Sequence, residues 1–123
     1  MIGVDIVVVE RIETSMKKYG EKFLGRYLHP EEIELVKKSE TAAGFWAAKE
    51  AIAKALGTGI GAHLAFHDIR ISKDAKGAPS FTLSPRIARR HSILSTSLSI
   101  AHDGGFAIAV AAIERSTPSD EMQ

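Results

Sequence analysis

Hydrophobic and polar positions alternate between two periods along the chain. Residues 2 to 9, IGVDIVVV, form an apolar, β-branched run broken only by Asp5. Such a run predicts a strand, and its Val/Ile content predicts burial on both faces. Ile12, Met16 and Tyr19 then recur at helical spacing, with Gly20 as a stop. EKFLGRYL reads as a short helical or irregular piece. Pro30 opens PEEIELVKKS, a predicted helix with acids early and lysines late. The strongest helical signal is AAGFWAAKEAIAKAL, 42 to 56, closed by Gly57 where a left-handed cap belongs. After the glycine-rich connection GTGIGAH, HDIRIS and APSFTL alternate around KDAKG, a hairpin signature. SPRIARRHSIL predicts a short helix, and STSLSIAH, the turn DGG and FAIAVAAIE predict a second hairpin.

The class is therefore α+β: one small domain with an antiparallel sheet packed on a long central helix. The domain is expected over 1–115, followed by a polar tail over 116–123. On FAIAVAAIE, Phe106, Ile108, Val110 and Ala112 have the bulk for the subunit's own core. Ala107, Ala109, Ala111 and Ile113 form a flatter face that suits either the close approach of another subunit's backbone or packing beneath the subunit's own helices.

Composition narrows the class. A chain of 123 residues with 45% hydrophobic and 25% charged residues is an ordinary globular protein. The absence of cysteine excludes disulfides, thiolate metal sites and a cysteine nucleophile. No apolar run approaches the ~20 residues of a membrane span, and no signal-peptide pattern opens the chain, so a cytoplasmic protein is expected. A net charge of +1 argues against a general nucleic-acid binder. Two local basic clusters, Arg11 to Arg26 and RIARRH at 86–91, suit phosphate, an acidic protein or plain solvation.

Candidate chemistry concentrates in few places. Asp5 within its strand needs a cation, a metal or several donors, because an unpaired buried carboxylate is costly. On the long helix, Phe45, Ala48, Ile52, Ala55 and Leu56 share the core stripe, while Glu50 and Lys54 lie opposite it, four residues apart. Those two are either a solvated helix pair or a metal carboxylate beside a phosphate-binding ammonium. Asp5 with Glu50 would suit Mg²⁺ bound largely through substrate phosphates; a buried salt bridge or a strand-end capping role is the alternative for Asp5. Gly57 and Gly59 lack a Walker pattern and read as a cap and a binding loop. His102, at a strand end, is a turn residue or a phosphate contact. His63 and His67 lack zinc-site spacing.

GVDIVVVERI, FWAAKEAIAKALGTGI, HDIRI with KGAPSF, and SLSIAHDGGFAIAVAAIE, in that order, together resemble the holo-acyl-carrier-protein synthase type of phosphopantetheinyl transferase. The resemblance implies transfer of phosphopantetheine from coenzyme A to a serine of apo-acyl carrier protein, in support of fatty acid biosynthesis, by a homotrimer with sites at subunit interfaces. It implies Asp5 and Glu50 as Mg²⁺ ligands and Lys54 at the transferring phosphate. It also implies His102 near the coenzyme A phosphates and Arg11 on the carrier's acidic helix. Phe45 and Trp46 stand where the family commonly has Arg-Phe, so Arg86, Arg89 or Arg90 is expected to replace that guanidinium, reaching in from a neighbouring subunit. Ala101 replaces the usual serine before the histidine, and the family's longer glycine-rich opening is shortened here. The rival readings are a non-enzymatic basic module holding a nucleotide or acidic protein, and a structural oligomer subunit.

Overall fold

The computed structural model describes residues 1–116. The elements run β1 (Ile2–Val8), α1 (Val9–Tyr19), α2 (Glu21–Leu24), α3 (Pro30–Glu34) and α4 (Ser39–Leu56). After a 3-10 turn at Phe66–Asp68 come β2 (Ile69–Lys73), β3 (Pro79–Leu83), α5 (Pro85–Arg90), β4 (Ile93–Asp103) and β5 (Phe106–Arg115). The α+β reading holds, but the strands form two ladders. One sheet has the order β1-β5-β4, and β2 pairs only with β3; every pairing is antiparallel. The last strand thus lies between the first and its own hairpin partner, with Asp5 opposite Ala109 and His102 opposite Ala107.

α4 is the axis of the fold and packs on β1 and β5. Its alanines let the helix approach the sheet closely, and Gly3 marks the tightest point. A Cβ on Gly3 would stand 1.9 Å from the Ala51 carbonyl oxygen and 2.6 Å from the Ala55 nitrogen, so no side chain fits. This close approach reverses the expectation for β5. Ala107, Ala109, Ala111 and Ile113 are the buried face, while Phe106, Ile108 and Val110 are 46, 39 and 41% exposed. Where the helix comes closest to the sheet, β5 turns its alanines inward, and Phe106, Ile108 and Val110 point outward.

β1 follows the same rule. Gly3 and Val7 are buried and Asp5 is half-buried on the face toward α4, whereas Ile2, Val4, Ile6 and Val8 are exposed in the isolated chain. Burial on both faces, expected from composition, is not met within one subunit.

Helix boundaries differ from those expected: α5 ends at Arg90, with Ile93 and Leu94 already in β4. α3 stops at Glu34, with Val36 packed on the core beyond it, and α4 starts at Ser39 rather than 42. Gly57 caps α4 as expected, at φ 81°, with its N–H donating to the Lys54 carbonyl and that of Thr58 to Ala53. Of the expected polar tail, residues 117–123 lie outside the described residues.

Candidate active site

Side chains two apart on a strand share a face. Gly3 is pressed against Ala51 and Ala55, so Asp5 projects along the same helix one step further on. There it meets Lys54: the ammonium lies 2.9 Å from Asp5 Oδ1 and donates also to the Val4 carbonyl at 3.1 Å. The partner that Asp5 requires is, in this structure, a lysine. The Asp5 side chain is 17% exposed and that of Lys54 56%, so solvent screens the pair and its contribution to stability is at most ~1 kcal/mol.

Glu50 stands one turn back on α4. Burial raises its pKa above the ordinary carboxylate range, the nearby negative charge of Asp5 raises it further, and Lys54 partly opposes both. Lys54 contacts Asp5 and acts on Glu50 only at longer range, so two carboxylates stand near one ammonium in a half-buried setting. This donor set suits a small hard cation that brings further oxygens from water or phosphate. Among the described residues, no three His, Cys, Asp or Glu side chains converge on one point.

Beside Glu50, Lys49 points the other way, into the core, and is fully buried. Its ammonium donates to Glu32 Oε1 at 2.9 Å and to the carbonyls of Tyr27 and Phe66 at 2.7 and 3.2 Å. Glu32, also fully buried, accepts from the backbone N–H groups of His29 and Ile71 at 2.6 and 2.7 Å. Burial lowers the Lys49 pKa and Glu32 opposes that shift. This network joins α4, α3, β2 and the 3-10 turn, and fixes the helix segment that carries Glu50. The sequence reading did not find it.

His102 is exposed near the end of β4, before the turn carried by Gly104 and Gly105. It borders two adjoining hollows of about 190 and 300 Å³, both also touched by Glu40. The smaller includes Thr41, Phe45, Lys73 and Pro79, and the Lys73 ammonium lies 5.6 Å from the Phe45 ring centroid. The cation at Phe45 is thus Lys73, from β2. Arg86 instead meets Asp68, which lines a separate hollow, at 3.3 Å, and Arg89 and Arg90 lie exposed on α5. Arg11 is exposed on α1, and Gly59, at φ 66°, follows the α4 cap. Asp5, Glu50 and Lys54 are brought together; the arginines belong to other surfaces of this subunit.

Residues 1–111 match the family model of the 4'-phosphopantetheinyl transferase superfamily. The chain is 61% identical over 113 residues to the holo-[acyl-carrier-protein] synthase of Sulfurovum sp. (strain NBC37-1), covering 92% of this chain and 95% of that relative. It is 61% identical over 115 residues to the enzyme of the same name from Wolinella succinogenes, covering 94 and 98%. The crystal structure of Helicobacter pylori holo-[acyl-carrier-protein] synthase in complex with coenzyme A superposes with a TM-score of 0.90 at 52% identity, over 93% of this chain and all of that one. With its alanine-packed sheet and helix, and Asp5, Glu50 and Lys54 gathered at their junction, the chain belongs to the 4'-phosphopantetheinyl transferase superfamily.

Proposed function

We propose that this chain transfers phosphopantetheine from coenzyme A to a serine of apo-acyl carrier protein, the reaction that supplies holo-carrier for fatty acid synthesis. The observation that carries the reading is the cluster of Asp5, Glu50 and Lys54 in a chain of this family. Asp5 and Glu50 would hold Mg²⁺, which when bound neutralises the diphosphate of coenzyme A. The serine oxygen attacks the β-phosphorus, and the bond to the bridging oxygen breaks, releasing adenosine bisphosphate. Lys54, four residues from Glu50 on the same helix, offers its ammonium to the phosphoryl oxygens. The serine proton must go to a base; a carboxylate of the same pair can take it through an ordered water. His102 and Lys73 border the hollow that suits the nucleotide end, and Arg11 lies on the face proposed for the acidic carrier.

Incubating an apo-carrier with coenzyme A, Mg²⁺ and the enzyme should raise the carrier's mass by one phosphopantetheine. A module that only bound coenzyme A would leave the carrier unchanged, and that result refutes the reading.

The assembly proposed is a homotrimer. Its support is the apolar outer face formed by Ile2, Val4, Ile6 and Val8 beside Phe106, Ile108 and Val110, all partly or largely exposed in the single chain. This is the face opposite to the one expected for contact from sequence. Arg89 and Arg90 form no ion pair with an acid among the described residues, which favours their reaching a neighbour's site. Sedimentation at the mass of three chains is expected; a monomer at working concentration would overturn the assembly.

A further inference from the structure

On the reading that coenzyme A is the substrate, we propose that Lys73 seats its 3'-phosphate and so makes this chain prefer coenzyme A to the 3'-dephospho form. On β2, Ile69, Ile71 and Lys73 share a face, because alternate residues of a strand point the same way. The two isoleucines are buried, and Lys73 continues their line to where the hairpin leaves the core and becomes exposed. There its ammonium lies 5.6 Å from the centroid of the Phe45 ring, itself buried on α4. Seated over an aromatic ring, the charge has a defined position.

The hairpin fixes the base of that side chain. The carboxylate of Asp74, next in sequence, accepts from the N–H groups of Lys76 and Ala78 at 2.8 and 2.9 Å, so it is engaged in the turn. Gly77 in this turn and Pro79, opposite Lys73 in the ladder, line the same hollow of about 190 Å³ as Lys73 does. Among the described residues no acid pairs with Lys73, whereas Lys49, Lys54, Arg70 and Arg86 each meet a carboxylate. Glu40 is the acid in the lining, so net charge does not draw an anion in. What the hollow offers is one placed ammonium, with the Thr41 hydroxyl and the His102 ring as further hydrogen-bonding groups. That set suits a compact phosphate monoester.

Position decides which phosphate. Phe45 precedes Glu50 on α4 by about 7.5 Å along the axis, at 1.5 Å per residue. The diphosphate belongs with Lys54, a further turn beyond Glu50, so Lys73 meets a separate anionic group. In coenzyme A that group is the 3'-phosphate on the ribose.

Calorimetric titration with coenzyme A and with 3'-dephospho-coenzyme A, without carrier and so without turnover, tests this. The wild type should bind coenzyme A about tenfold tighter than the dephospho form. Lys73→Met keeps an apolar chain beside Phe45 and removes the charge; it should bind coenzyme A about tenfold more weakly and the dephospho form with far less change. Lys73→Arg should retain most of the preference. If the wild type binds both compounds equally, or if Lys73→Met keeps the wild-type ratio, the assignment is overturned while coenzyme A remains the substrate. If the wild type binds neither compound, the reading of the substrate fails and takes the assignment with it.

Discussion

Glu50→Gln should slow phosphopantetheine transfer by about 10²–10³-fold, the usual scale for losing one preorganised electrostatic group, and at the same time make the protein more stable at neutral pH. The two effects share a cause. Burial, and then the charge of Asp5, raise the Glu50 pKa above its value in the unfolded chain. A raised pKa means that the folded state favours the protonated form. The associated stability is fully present below the unfolded pKa and is lost as pH rises through the folded one. At neutral pH the ionised Glu50 therefore costs the fold something, and glutamine removes that cost along with the charge proposed to hold the metal. Thermal midpoints should show the variant above the wild type at pH 7, with the difference shrinking as pH falls through the carboxylate range. Asp5→Asn should slow transfer comparably without that gain, because it breaks the pair with Lys54. Near-normal rates for both variants at limiting Mg²⁺ would remove the carboxylates from the mechanism.

Lys49→Met should destabilise the fold by about 3–5 kcal/mol, since it leaves Glu32 charged and buried without its counter-ion. The carbonyls of Tyr27 and Phe66 lose a donor as well. Adding Glu32→Gln should recover part of the loss: the amide removes the stranded charge while its oxygen still accepts from a backbone N–H. Urea denaturation of the two single variants and the double variant measures the coupling. Strict additivity would show that the pair contributes nothing as a pair.

That network shows what the sequence makes legible and what it hides. The strand around Asp5, the long helix, its glycine cap and both hairpins follow from periods and turn residues within a few positions of one another. Asp5, Glu50 and Lys54 stood out as charges in unusual company. Lys49 gave a signal too: it lies four residues after Phe45 and three before Ile52, on the apolar stripe itself. A lysine on that stripe announces a buried partner, but the partner, Glu32, sits on another helix and is fixed only by tertiary packing. The faces of β5 were misread for a similar reason. Side-chain bulk argued for Phe106, Ile108 and Val110 inside, yet the helix–sheet separation is set at Gly3, a hundred residues away in the chain and invisible to the local pattern.

The pairing of β1 with β5 also governs how the molecule is made. Asp5 and Ala109 face each other from opposite ends of the described chain, so the sheet forms only after a very long loop has closed. Until β5 is available, β1 lacks its hydrogen-bonding neighbour and the alanine face of α4 has little to cover it. Local pieces such as α4 and the β2–β3 hairpin can form early, but the strand that carries Asp5 is placed late. Catalytic competence is therefore a property of the completed chain: a growing polypeptide that already contains Asp5, Glu50 and Lys54 has no assembled site until its last strand slides between the first and the fourth.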